Sequence, residues 1–192
     1  MRAFLLRIRN ILVDPRSEWP LIATEPGNPW RLMLYVAVLA AIPVIAGYIG
    51  STYVGVSVSA GRFHDTPLIA LFKSTVSYVF SFAIVGLTAL VIDLLAPLFK
   101  ARRNFQNALK LAVYSYTPVW LIGIVLLVPG LRFLSILGLY ALRLLWTGLP
   151  PLMGAPRPKV LTYAVAVCAA GFVIVFVMAV VQSAITTLPF RH

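Results

Sequence analysis

Five long apolar runs separated by short polar or proline-rich breaks organise the chain, at about residues 30–54, 68–99, 108–129, 131–149 and 160–188. At about 1.5 Å per residue each is of a length to cross a hydrocarbon core about 30 Å thick. The pattern predicts an all-α polytopic integral membrane protein with five transmembrane helices. Ahead of them, Phe4, Leu5, Ile8, Ile11 and Leu12 share one face of a 3.6-residue period, with Arg2, Arg9 and Asn10 largely off it. That spacing predicts a short amphipathic helix lying in the membrane interface. Arg7 and Arg9 interrupt any signal-peptide core, and no small-residue cleavage site follows, so the segment is expected to be retained. Residues 1–28 are read as an interfacial segment and 29–192 as the membrane domain.

Punctuation refines the elements. Asp14-Pro15 is a cap followed by a proline at the first helical position, opening a second short helix to Ala23 that carries Trp19 and Ile22. Asn28-Pro29 repeats the signal before the first span, whose start bears Trp30 and Tyr35 as an interfacial aromatic belt would. Pro43, Gly47 and Gly50 predict a kink within it. The second run, about 48 Å as a helix, exceeds the core, so its first turns, with Lys73, Ser74, Thr75, Ser77 and Tyr78, are expected to project. Pro118 predicts a kink in the third helix. Pro129-Gly130 predicts a tight hairpin into the fourth, and Pro150-Pro151 is expected to close it.

Composition agrees: 61% of residues are hydrophobic and only 11% charged, against about 25% charged in a soluble domain. The mean hydropathy is +0.96. The net charge of +11 changes the picture through its placement. Eleven Lys and Arg lie in the N-terminal segment, the connection 100–110 and the loop after the fourth helix; Arg62, Lys73, Arg132 and Arg191 lie on the other side. The positive-inside rule then puts the N-terminus in the cytoplasm and the C-terminus outside, as five spans require. Lys100, Arg102, Arg103 and Lys110 read as a lipid-facing basic loop that meets anionic headgroups.

The chemistry inventory mostly excludes. Asp93 is the one carboxylate within the spans, so a two-aspartate protease lacks its second half. His64 and His192 fall outside the spans, away from Cys168 and the serines of the second helix, which leaves no nucleophile and base pair. No metal-ligand spacing, phosphate loop, dinucleotide fingerprint or nucleic-acid module occurs. No catalytic residue, cofactor or metal is assigned, and nucleic acid is not an expected partner. Asp93, Arg143 and Tyr114 each lie about 10 Å from the basic end of their helices. They form an intramembrane polar layer in which Asp93 pairs with Arg143 and Tyr114 hydrogen-bonds, either as a structural pair or as a functional site. Tyr116, Thr117 and Pro118 are read as a compensated kink or as the lining of a pathway. Lys73 and the hydroxyls around it, with His64 and Asp65, form either a solvated helix end or a mouth or partner surface.

At these residues the chain resembles a family. Trp19 and Ile22 after Pro15, Asp93-Leu94-Leu95-Ala96-Pro97, Tyr114-Ser115-Tyr116-Thr117-Pro118-Val119-Trp120, Leu137-Gly138-Leu139-Tyr140 and Gly148-Leu149-Pro150-Pro151-Leu152-Met153 look like the bacterial branch of the Yip-domain family. Its eukaryotic members are the Ypt/Rab-interacting membrane proteins. Leu95 and Ala96 stand where the eukaryotic Asp-Leu-Tyr-Gly-Pro motif has Tyr and Gly. The resemblance implies five spans in a bacterial inner membrane and a non-enzymatic membrane-organising or adaptor role, through anionic lipids and a protein partner or a homo-oligomer. The residues leave a second reading open, a small transporter or channel built on the Asp93, Arg143 and Tyr114 layer. A dry interior would favour the first and a polar cavity reaching that layer the second.

Overall fold

The computed structural model describes residues 2–58, 61–127 and 136–187. Two short helices, α1 (Arg2–Val13) and α2 (Pro15–Thr24), precede α3 (Pro29–Ile49), which continues as a wider π turn over Gly50–Val54. Then come α4 (Pro67–Leu95) with a 3-10 turn over Ala96–Phe99, α5 (Phe105–Ser115), α6 (Thr117–Ile122), α7 (Tyr140–Met153) and α8 (Arg157–Thr187). Five helical stretches are long and apolar enough to span a membrane: Pro29–Val54, Pro67–Phe99, Phe105–Val125, Ile136–Met153 and Arg157–Thr186. The protein is an all-α, five-span membrane protein. Among the described residues the one piece of sheet is a small hairpin between α3 and α4, β1 (Val56–Val58) and β2 (Gly61–Phe63), paired antiparallel with Ser57 opposite Arg62.

Helix starts follow local chemistry. Asp14 accepts from the Ser17 amide at 3.4 Å, Asn28 from Arg31 at 3.2 Å, Thr66 from Ile69 at 3.5 Å and Asn104 from Asn107 at 3.1 Å. Each side chain satisfies an amide that the first helical turn leaves without an acceptor. The Asn104 cap starts the third span at Phe105, before the expected Ala108, and so carries Lys110 out of the loop and onto a helix. α5 and α6 meet at Tyr116, because Pro118 has no N–H to donate to the Tyr114 carbonyl. Pro150 and Pro151 do not close α7, as the sequence suggested; the helix runs through them and ends at Gly154, whose φ of 64° is a left-handed stop. The expected Pro129-Gly130 turn and the tail after Thr187 lie outside the described residues.

Packing ties the N-terminal segment, expected at the interface, to the bundle as well. α2 packs along α7, and Ile11, Trp19 and Ile22 are fully buried in one core with Leu111, Leu144, Leu149 and Met153. Phe4, Ile8 and Leu12 also lean on that core, while Leu5 turns outward. Trp19 Nε1 donates to Thr147 Oγ1 at 3.1 Å, and the Tyr140 hydroxyl donates to the Leu12 carbonyl at 2.8 Å. Gly148 permits the approach: a Cβ there would lie 2.5 Å from Leu111 Cδ1 and 2.8 Å from Trp19 Cε2. Amphipathicity marks a buried face but does not say whether lipid or protein covers it.

α4 is flanked by α3, α5 and α8, and α7 by α2, α5 and α8. Trp30 is 77% exposed, as an interfacial residue should be, but Tyr35 points inward at 4%. The far half of α8 turns Phe172, Val173, Phe176, Val177 and Val180 outward, where lipid is their solvent.

Candidate functional site

The polar side chains of the basic end sort into two clusters, and neither is the predicted pair. Asp93 stands in the last turn of α4, 6% exposed. Beyond the Ala96–Phe99 turn, Lys100 takes a left-handed φ of 59° that reverses the chain. Ala101 N–H donates to the Ala96 carbonyl at 2.9 Å and Arg102 N–H to the Met153 carbonyl at 2.8 Å, fixing the loop. Arg103 thereby reaches back to Asp93, with Nη2 at 3.0 Å and Nε at 3.2 Å from Oδ2.

Arg143 does not pair with Asp93. Its guanidinium lies 5.3 Å from the centre of the Tyr140 ring, on the exposed side of α7. The physical reason is azimuth: equal distance from helix ends sets a common depth, but α7 packs chiefly on α2, α5 and α8, not α4. Arg103→Met should therefore destabilise the fold by about 1–3 kcal/mol, since it strips from a buried carboxylate oxygen the partner it has among the described residues. Arg143→Met should change stability by no more than about 0.5 kcal/mol. Thermal unfolding of both variants in one detergent checks the contrast.

The second cluster joins the N-terminal helices to the bundle. Arg7 of α1 forms ion pairs with Glu18 and Glu25, and Asn10 Nδ2 adds a bond to Glu18 Oε2 at 3.2 Å. Glu18 is 5% exposed, a buried charge tolerated because it is paired. Burial pulls the Arg7 guanidinium down in pKa, but Glu25 and Glu18 more than offset this and leave it above the ordinary arginine value. Arg7 also lies 6.0 Å from the centre of the Tyr114 ring. Tyr114 meets Tyr35 edge-on with centroids 4.9 Å apart and Trp19 at 6.4 Å. Its role is therefore aromatic packing under a cation, not a hydrogen bond to Asp93 or Arg143.

The kink residues are tied into the same interior. Thr117 is fully buried and its hydroxyl lies 2.9 Å from the Tyr35 hydroxyl; the Tyr116 hydroxyl lies 3.2 Å from Thr88 Oγ1. Pro118 is buried beside them. Lys110 corrects another expectation. It is 4% exposed, not lipid-facing, and its ammonium donates to the carbonyls of Ile22 at 3.0 Å and Glu25 at 2.6 Å. These carbonyls are released by the C-terminal end of α2, where a cation is favoured. Lys100, Arg102 and Arg103 do lie on the exposed loop. On the opposite side Lys73 bonds Asp65 at 2.7 Å, and His64 Nδ1 lies 3.2 Å from the Thr52 carbonyl.

Each of the chain's five carboxylates thus has a structural engagement: Asp14 caps α2, Glu18 and Glu25 hold Arg7, Asp65 holds Lys73 and Asp93 holds Arg103. Among the described residues no three His, Cys, Asp or Glu side chains gather as a metal site. A polar pocket of about 370 Å³ lies under the α2–α3 linker, lined by Glu25, Arg31, Lys110 and Tyr114 among others. Neither Asp93 nor Arg143 lines it. From the sequence, Arg7, Glu18, Glu25 and Tyr35 belong to no site; Tyr35 reads as part of an interfacial belt and Arg7 only as a charge. The available signal was Glu18 directly beside Trp19 and one turn from Ile22, a carboxylate on the edge of an apolar face that a membrane surface would not require.

The Yip1 domain pattern matches residues 9–178, from α1 well into α8. The inner membrane protein YohC of Escherichia coli strain K12 is 28% identical over 154 residues, covering 75% of this chain and 76% of that protein. YohC of Escherichia coli O6:H1 matches to the same extent. No solved structure matches. The matched region contains the first four spans, most of the fifth, the buried Trp19 and the Asp93 turn, and on it the chain belongs to the Yip1 domain family.

Proposed function

We propose that the protein is a non-enzymatic membrane organiser, an adaptor of the bacterial inner membrane that works through its basic end. That end faces the cytoplasm in this reading, as the positive-inside rule requires, with the C-terminus on the other side. The observation that carries it is the use of charge. The carboxylates are engaged internally, whereas Arg2, Arg9, Arg16, Arg31, Lys100, Arg102 and Arg157 are exposed and have no acidic partner among the described residues. Such a surface attracts anionic headgroups by about 1 kcal/mol per cation near the membrane. It equally suits an acidic protein partner.

The transporter reading loses its shared site. Asp93, Arg143 and Tyr114 have separate partners, and Tyr114 packs against Trp19 and Tyr35. Proteoliposomes test the two readings together. The organiser should cluster added vesicles containing phosphatidylglycerol, not purely zwitterionic ones, and clustering should fall with salt. Replacing Lys100, Arg102, Arg157 and Lys159 by Gln should abolish it. Saturable, gradient-driven flux of ions or small solutes without clustering would overturn the proposal.

A further inference from the structure

A second feature of the basic end faces the side of the bundle. Between α7 and α8, beside the start of α2, lies a groove of about 690 Å³, within the size range of small-ligand sites. Its walls are mostly apolar and include Leu139, Trp146, Val165 and Ala169, yet two arginines, Arg16 of α2 and Arg143 of α7, line it as well. Both are exposed, and neither has a carboxylate partner among the described residues. The nearest acid in sequence, Asp14, is occupied as the α2 cap, accepting from the Ser17 amide and hydroxyl.

We infer that this groove is a binding site for one anionic glycerophospholipid, its phosphate held between Arg16 and Arg143 and an acyl chain laid along the α7–α8 seam. Charge complementarity selects the occupant. Two arginines without a carboxylate partner among the described residues, beside an apolar surface, attract an anion, and arginine donates to phosphate in a planar, forked geometry. A membrane supplies that anion already attached to a chain that suits the rest of the groove. α7 and α8 are joined through the turn at Gly154, and the groove runs along their seam from Thr147 and Leu161 to Leu139 and Ala169, with Arg143 between. This inference deepens the organiser reading by naming a lipid partner, and it rests on residues other than those whose neutralisation tests vesicle clustering.

Native mass spectrometry of the purified full-length protein tests it, with phosphatidylglycerol and phosphatidylcholine as probes. One phosphatidylglycerol should be retained in preference to phosphatidylcholine, and the Arg16→Gln/Arg143→Gln double variant should bind it at least about tenfold more weakly. Ala169→Trp fills the groove from an exposed position while keeping both arginines, and should also lose the lipid. It decides the matter should the charge variant fail to fold. Cys168, the chain's one cysteine, lines the groove, so phosphatidylglycerol in nanodiscs should slow its alkylation in the wild type and not in the double variant. Equal retention of the two lipids, or undiminished retention in both variants, would overturn the site. So would a dimer crosslinked through Cys168 that forms in place of the lipid complex. Vesicle clustering that survives the double variant leaves the organiser reading standing by itself.

Discussion

Trp19→Ala is expected to be the most destabilising single substitution in the N-terminal segment, costing about 3–5 kcal/mol. The indole is fully buried between α2 and α7, and it alone both fills the seam and donates a hydrogen bond across it, to Thr147. Truncation opens a cavity bounded by Leu111 and Gly148, which the helices cannot close without shifting α2. The readout is a lowered thermal transition in detergent together with faster proteolysis within residues 2–25. Trp19→Phe retains most of the apolar contact and loses the bond, so it should cost only about 1 kcal/mol. Gly148→Val approaches the same seam from α7. Its side chain would enter space held by Leu111 and the Trp19 ring and should cost about 1–3 kcal/mol by overpacking. If residues 2–25 were already labile in the wild type and Trp19→Ala left the transition unmoved, the helices would be interfacial, as amphipathicity alone suggested.

Arg7 should show the second large effect. Arg7→Met leaves Glu18 buried at 5% exposure with only Asn10 as a partner, and leaves Glu25 without its cation. Removing one member of a buried pair costs about 3–5 kcal/mol. Arg7 and Glu25 retain some solvent here, which brings the expected loss to about 2–3 kcal/mol. The double variant Arg7→Met/Glu18→Gln should recover at least about 1 kcal/mol of it, because no unpaired buried charge remains. A double-mutant cycle on thermal or denaturant unfolding measures that coupling. Additive losses would show the pair to be energetically independent.

Five spans, their approximate limits and the all-α class were legible because bilayer thickness imposes a length and a polarity that a one-dimensional pattern records directly. Caps at Asp14 and Asn28 were legible for a similar reason: the bond closes within three residues. The break at Pro118 is also local, since it follows from a missing N–H.

Partner choice was not local. Counting residues from helix ends placed Asp93, Arg143 and Tyr114 at one depth but carried no information about rotation around the bundle. Arg103 took the carboxylate because the left-handed turn at Lys100 folded the loop back. Lys110 left the expected basic loop because Asn104 started the helix early and the last carbonyls of α2 met it there. Burial of Trp19 depended on contacts 128 residues away in sequence, with Thr147. By itself the sequence determined what crosses the membrane and where helices start, because bilayer length and capping bonds act within a segment. Only the tertiary structure decided which charges meet, that α2 belongs to the core and that Arg16 and Arg143 share a groove, because those outcomes depend on how segments distant in sequence turn toward one another.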